Sequence, residues 1–187
     1  MHSAAMSIGE PYLLPAVSAD QPPLPSARFF RLSQLRKLRR CERVAAVCYR
    51  VGRNGIEFLL VQTGKGRWTF PKGSAEPGLT NAQAAALEAF EEAGVIEGRM
   101  EETSFTQYTR RGTGKARDGG LKTLTVHAHL CEVSRLAPPQ ELERNPTWFS
   151  PEATKQRLRQ NRKPDYGGEL ARVVASAVTR IRKLGAG

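Results

Sequence analysis

Cysteine is scarce in this sequence of 187 residues. The three cysteines, Cys41, Cys48 and Cys131, form no CxxC pair and no spacing typical of a zinc site. Their odd number and low density argue against a disulfide framework of the kind found in small secreted domains, and they favour a reducing compartment. We therefore expect a cytoplasmic protein that is stabilised by a hydrophobic core rather than by cross-links.

Long apolar runs are also absent from the sequence. None approaches the ~20 residues that a membrane-spanning helix needs, so we expect no transmembrane segment. The first residues lack a basic stretch followed by an apolar one, so we expect no secretory signal. The sequence contains no internal repeat.

Acidic residues are few relative to basic ones. The chain has 18 Asp and Glu against 29 Lys and Arg, which gives a formal net charge of +11 and a pI of about 10.1. Such a protein typically binds polyanions, namely nucleic acid, polyphosphates or an anionic membrane surface. A basic surface that serves only solubility is the alternative. Hydrophobic residues make up 40% of the chain, which indicates a globular domain with a proper core.

Composition divides the chain into three parts. Residues 1–27 are rich in Pro, Ser and Ala without periodicity, which predicts an extended, disordered tail. Residues 28–42 form a basic amphipathic segment with apolar residues at helical spacing. This segment is either an anchor to a membrane surface or acidic partner, or a short helix packed on the domain. Residues 43–187 should form the domain proper.

The domain shows an α/β pattern. Strands are predicted at 43–51 and 56–62, joined by a turn at Asn54-Gly55. Thr80 and Gln83 form a capping-box sequence that opens a helix, and Gly94 is suited to end it. Ser150 and Pro151 are typical of a second helix start, and apolar spacing predicts a C-terminal helix. Further strands are predicted at 67–70, 103–111, 121–133 and 147–150. A glycine-rich basic loop is expected at 110–120, and the C-terminal helix at 166–184. Together they predict a mixed sheet flanked by helices.

Three glutamates share one face of the first predicted helix. Glu88, Glu91 and Glu92 are spaced i, i+3 and i+4, so they are neighbours on the helix surface. Like charges at this spacing disfavour the helix by roughly 0.2–0.5 kcal/mol per pair, and the helix dipole disfavours anions in the last turns. A bound divalent cation would account for the arrangement, because Mg²⁺ prefers carboxylates together with substrate phosphates.

The stretch from Gly73 to Val95 resembles the signature of the Nudix hydrolases, GX5EX7REUXEEXGU, in which U is an aliphatic residue. The match runs without a gap through Gly73, Glu88, Glu91, Glu92, Gly94 and Val95. Two positions depart: Leu79 and Leu87 stand where the family has Glu and Arg. In the family these two residues commonly form an ion pair that ties the loop to the helix, and a Leu–Leu contact could replace it at little cost.

The resemblance covers roughly residues 43–184 and implies a Nudix-type α/β/α sandwich around a mixed β-sheet. It also implies hydrolysis of a phosphoanhydride bond, with Mg²⁺ or Mn²⁺ held by Gly73, Glu88, Glu91 and Glu92. Either Glu88 or Glu91 would take the proton of the attacking water. The run Arg67–Gly73, RWTFPKG, and the later TWF segment look like those of diphosphoinositol-polyphosphate and diadenosine-polyphosphate hydrolases, so a small polyanionic substrate of one of these types is expected.

Cationic residues near the metal loop are the candidates for binding substrate phosphates. Lys72 directly precedes Gly73 and can place a point charge on a phosphate. Further donors lie at the start of the first strand and on or beside the glycine-rich loop: Arg43, Arg110, Arg111, Lys115, Arg117 and Lys122. Two alternatives remain: removal of pyrophosphate from RNA 5′ ends, which the basic surface permits, and a catalytically weak domain that serves as a binding or regulatory module, which Leu79 and Leu87 favour.

Overall fold

A computed structural model of the chain describes residues 42–115 and 121–185; the side chains of 111–115, 121 and 122 are not described. The expectations for the tail 1–27, for segment 28–41 and for Arg117 therefore lie outside the described residues. The same holds for the side chains of Arg111, Lys115 and Lys122. Within the described part, no helix is long and apolar enough to cross a membrane.

The described residues form strands, three α-helices and one 3₁₀ turn. The strands are β1 (Glu42–Gly52), β2 (Gly55–Gln62), β3 (Trp68–Thr69), β4 (Lys72–Ser74), β5 (Val95–Met100), β6 (Thr106–Lys115), β7 (Leu121–Leu136) and β8 (Thr147–Phe149). The helices are α1 (Asn81–Ala93), α2 (Pro151–Arg159) and α3 (Pro164–Leu184), and the 3₁₀ turn spans Leu142–Arg144.

The strands form a mixed sheet in the order β3-β2-β1-β7-β5. Strands β1 and β7 pair in parallel at its centre, whereas the other pairings are antiparallel. Strand β4 pairs with β1, β6 with β7 and β8 with β2. The mixed sheet predicted from the sequence is confirmed.

The two faces of strand β1 are buried against different helices. Val44, Ala46 and Cys48 pack in one cluster with the alanines of α1, whereas the alternate residues Ala45 and Val47 pack in a second cluster with α2 and α3. A strand covered on both faces is expected to be apolar throughout, as the VAAVC run is. The α/β/α sandwich implied by the resemblance is therefore confirmed.

Helix α1 forms where local signals predict it. The side chain of Thr80 accepts a hydrogen bond from the backbone N–H of Gln83, whose side chain accepts one from Thr80 N–H. Gly94 ends the helix in the left-handed conformation at φ 71°. A Cβ at Gly94 would lie 2.0 Å from the Ala137 carbonyl oxygen, so glycine is required there for space as well as for conformation.

Two strands were not predicted, and the basic loop is shorter than predicted. Strand β4 has only three residues and exists because Gly73 pairs with Val44, a contact that no local pattern indicates. Strand β5 is mostly exposed and pairs with β7 through register shifts, so it lacks the alternation that marks a strand. Strand β6 continues to Lys115, so residues 110–115 of the predicted loop are in fact strand.

Candidate active site

Gly73 and Glu88 bring strand β4 and helix α1 into direct contact. Gly73 is buried, and an ideal Cβ built on it would lie 1.5 Å from Glu88 Oε1 and 2.1 Å from Glu88 Cδ. The carboxylate of Glu88 therefore lies directly on the backbone at Gly73. Only glycine leaves room for this approach.

Glu88 belongs to a cluster of carboxylates. Burial raises the pKa of Glu88 to about 7, and the negative charges of Glu92, Glu91 and Glu141 act in the same direction. Glu141 lies between strand β7 and the 3₁₀ turn, and its N–H donates to the carbonyl oxygen of Glu91 at 3.0 Å. Sequence reasoning missed Glu141, because nothing in its local pattern indicates that it approaches α1.

Glu92 is the most buried member of the cluster, with 3% of its surface exposed. Its Oε1 lies 2.7 Å from Nη2 of Arg144, and its Oε2 accepts a hydrogen bond from the N–H of Lys72 at 3.1 Å. Burial raises the pKa of Glu92, although the positive charges of Lys72 and Arg144 oppose the shift. Both oxygens of Glu92 therefore already have partners.

Arg144, which sequence reasoning also missed, has other partners in addition to Glu92. Its Nε lies 2.6 Å from Oε2 of Glu141, and its Nη1 donates to the carbonyl oxygen of Gln62 at 3.5 Å. Its side chain is four-fifths buried. The 3₁₀ turn thus places one guanidinium among helix α1, the end of β2 and the β7–β8 connection.

The carboxylate cluster has the donor chemistry that a divalent cation requires. Its oxygens are hard ligands, and the Glu88 carboxylate lies against the backbone at Gly73. As positioned, no three His, Cys, Asp or Glu side chains of the described ranges could hold a metal together.

A cleft of about 1330 Å³ opens on the face of the sheet opposite α1. Lys72 and Arg110 line the cleft. Their cross-strand partners in the sheet are Ala45 and Leu124, and Ala45 packs on the face that α2 and α3 cover. Loop β2–β3, the α2–α3 connection and the first turns of α3 complete the walls. The lining contains seven cationic residues, Lys65, Arg67, Lys72, Arg110, Arg162, Lys163 and Arg172, against the two acidic residues Asp165 and Glu169.

Some of these cations are occupied. Arg162 donates to the carbonyl oxygens of Leu158, at 2.8 Å, and Trp68, so it ties the α2–α3 connection to strand β3. Arg172 pairs with Glu169. The other five cationic side chains of the cleft have no carboxylate partner among the described residues: Lys65, Arg67, Lys72, Arg110 and Lys163.

Lys72 connects the cleft with the carboxylates. Its side chain lines the cleft, while its N–H binds Glu92. Burial lowers the pKa of Lys72 to about 8, although the negative charge of Glu92 opposes the shift. The positive charges of Arg110, Arg144 and Arg162 lower it further.

The structure thus brings together only some of the predicted substrate-binding residues. Lys72 and Arg110 line the cleft. Arg43 is not among its lining residues; it stands opposite Ser74 on β1, and its Nε is buried without a hydrogen-bond partner in the described part. Sequence reasoning did not predict that the α2–α3 connection forms part of the cleft wall. No motif indicates that Arg162 contacts Trp68, which lies some ninety residues earlier in the chain.

The chain matches one protein-family model and is similar to several known proteins. The NUDIX domain model matches residues 41–167. The asymmetrical bis(5′-nucleosyl)-tetraphosphatase of Sus scrofa is 45% identical over 53 residues, which are 27% of this chain and 36% of that protein. The match therefore spans only about a third of the curated relative.

Solved structures show the same fold at low sequence identity. A binary complex of the Caenorhabditis elegans Ap4A hydrolase has a TM-score of 0.57 at 24% identity, covering 76% of this chain and 98% of that one. A NUDIX hydrolase from Nitrosomonas europaea has a TM-score of 0.51 at 22% identity, covering 67% of this chain and 82% of that one. The family resemblance noted in the sequence is confirmed by the domain match.

Proposed function

The chain belongs to the NUDIX family, and we propose that it hydrolyses a phosphoanhydride bond in a small, highly charged substrate. A dinucleoside polyphosphate is our first candidate and a diphosphoinositol polyphosphate the second. The observation that carries this proposal is the position of Lys72, which lines a cation-rich cleft while its N–H binds Glu92 of the carboxylate cluster.

The charge and size of the cleft support a polyphosphate substrate. Seven cationic and two acidic lining residues leave an excess of five positive charges, which would be costly to gather without an anion to bind. Its volume exceeds the roughly 300–1,000 Å³ of ordinary small-molecule pockets, so an extended substrate fits. The relatives named for bis(5′-nucleosyl)-tetraphosphate and Ap4A favour the dinucleoside candidate.

The residues of the chain then have distinct roles. Glu88 and Glu91, with Glu92 and the Gly73 carbonyl, would hold Mg²⁺ or Mn²⁺, which when bound neutralises the pyrophosphate and lowers the pKa of water. Lys72 and Arg110 would bind phosphate oxygens through charge-assisted hydrogen bonds. Either Glu88 or Glu91 would take the proton of the attacking water.

A substrate panel tests the proposal. Phosphate release, after phosphatase treatment of the products, is measured with Mg²⁺ for diadenosine tetraphosphate, a diphosphoinositol polyphosphate and 5′-triphosphorylated RNA. We expect turnover of one of the first two, and a loss of at least about 10²-fold in kcat for Glu88→Gln and Glu91→Gln. Glu97→Gln, which changes an exposed glutamate paired with Arg135, is the matched control and should retain activity.

Each pattern of results has a different meaning. Hydrolysis of none of the three by the wild type would reject the enzymatic proposal and favour a binding module. Preferential hydrolysis of the RNA, with binding that weakens steeply as salt rises, would replace the small-substrate proposal with 5′-end processing. Full activity in Glu88→Gln and Glu91→Gln would show that these carboxylates do not carry the chemistry.

A further inference from the structure

Arg144 joins the segments that surround the carboxylate cluster. It pairs with Glu92 on helix α1 at 2.7 Å and with Glu141 at 2.6 Å, and it donates to the carbonyl oxygen of Gln62 at the end of β2. Glu92 in turn accepts the N–H of Lys72. A continuous series of polar contacts therefore runs from the 3₁₀ turn through α1 to the residue before Gly73.

The loop between strand β4 and helix α1 is held by few buried side chains of its own. Leu79 and Leu87 are 41% and 37% exposed, and neither belongs to the two buried clusters of the described core. Glu92, by contrast, is buried, pairs with Arg144 and accepts the N–H of Lys72, so it joins helix α1 to the strand before the loop.

We propose that Arg144 is a positioning residue of the active site, which fixes Glu92 and, through the Lys72 backbone, the contact between Gly73 and Glu88. It does so from the β7–β8 connection. This inference rests on the proposed function only for the reaction that the site performs; the role of Arg144 in holding the carboxylates is independent of the substrate.

Two observations favour positioning over simple competition between Arg144 and a metal for Glu92. Each carboxylate oxygen has two lone pairs, so Arg144 and Lys72 leave acceptor capacity on Glu92. Arg144 also uses its remaining donors on Glu141 and on a backbone carbonyl, which a residue that only neutralised Glu92 would not need. A residue that orients a ligand in this way typically affects metal affinity or activity by about 10–100-fold.

Metal affinity of the folded protein is the first test. Mn²⁺ binding is measured by electron paramagnetic resonance of free Mn²⁺, well below the unfolding temperature, for wild type and Arg144→Met. We expect Arg144→Met to bind Mn²⁺ at least about tenfold more weakly. The matched control is Arg180→Met, which removes an arginine paired with Glu101 at 3.1 Å on the surface, and should bind within about twofold of wild type.

Kinetics and a double variant separate positioning from general damage to the fold. Arg144→Met should lower kcat about tenfold or more with KM within about threefold, since the cleft residues are unchanged. In a Glu92→Gln background, Arg144→Met should cause little further loss of kcat, because Arg144 acts through Glu92. Mn²⁺ affinity at or above the wild-type value in Arg144→Met would overturn the proposal, as would fully additive losses in the double variant.

A conservative variant keeps the test decisive if Arg144→Met does not fold. Lysine retains the charge but cannot reach three acceptors at once, so Arg144→Lys should bind Mn²⁺ about three- to tenfold more weakly than wild type. Wild-type affinity and kcat in Arg144→Lys would reject the need for the guanidinium. A wild type that binds Mn²⁺ but hydrolyses no substrate rejects the proposed function alone, because the Mn²⁺ affinities still decide the role of Arg144.

Discussion

Replacing Gly73 with alanine should abolish metal binding while leaving the fold intact. The new Cβ would lie 1.5 Å from Glu88 Oε1, 2.1 Å from Cδ and 2.7 Å from Oε2, so the whole carboxylate must move. Carbon contacts are comfortable at about 3.5–4.0 Å, so the displacement is roughly 2 Å. Misplacement of a catalytic group by about 1 Å can cost about 10²-fold in rate, and we expect kcat to fall at least that much.

Stability should change little in Gly73→Ala. The atoms in the way belong to the end of a flexible side chain, and Gly73 does not occupy the left-handed region, so alanine introduces no backbone strain. Replacing glycine at a compatible position stabilises a protein by about 0.4–1 kcal/mol through the unfolded chain, which offsets part of the cost of moving Glu88. The expected result is a variant that unfolds near the wild-type temperature but behaves like Glu88→Gln.

Mn²⁺ binding, hydrolysis and thermal unfolding of Gly73→Ala are measured together. Gly168→Ala is the control, because a Cβ at Gly168 in helix α3 would meet no atom within 4 Å. The control should retain wild-type Mn²⁺ affinity and turnover. If Gly73→Ala also binds Mn²⁺ with wild-type affinity, the contact between Gly73 and Glu88 is not needed for the metal site, and our account of it is wrong.

Three further predictions follow from the same geometry. Glu88 has a folded pKa of about 7 against an ordinary value of 4.5, so its contribution to stability is lost as pH rises through 7. Because Mg²⁺ binds the ionised form, it should raise the unfolding temperature more at pH 8 than at pH 6; an equal shift at both would contradict this. Thr80→Ala removes the helix cap and should cost about 1 kcal/mol in chemical unfolding without changing Mn²⁺ affinity. Arg110→Ala should raise KM about tenfold with a smaller change in kcat, and an unchanged KM would exclude Arg110 from substrate binding.

Local signals in the sequence were sufficient to predict helix α1 and its ends. Thr80 and Gln83 satisfy each other's backbone donors, and Gly94 adopts the conformation that only glycine takes readily, so each end is determined within a few residues. The central strands were equally predictable, since β1 and β2 are apolar runs joined by an Asn-Gly turn. The placement of Glu88, Glu91 and Glu92 on one helix face followed directly from these elements.

The parts of the site that were missed depend on tertiary contacts. Arg144 meets Glu92 across about fifty residues of sequence, and Arg162 meets Trp68 across ninety-four. In both cases a basic residue lies in a short connection whose path is determined by the packing of the sheet. No periodicity or motif indicates such a path, so the contacts of Arg144 and Arg162 were not predicted. Lys72 was predicted because it lies beside a motif.

Burial determines how much the pair of Glu92 and Arg144 contributes to stability. Ion pairs at exposed sites contribute about 0–1 kcal/mol. Breaking a buried pair costs about 3–5 kcal/mol, because one charge is left without a partner. Glu92 has 4% of its side chain exposed, so its pairing with Arg144 belongs to the second class. Loss of Arg144 would therefore leave a buried carboxylate without its ion-pair partner in the middle of the candidate site.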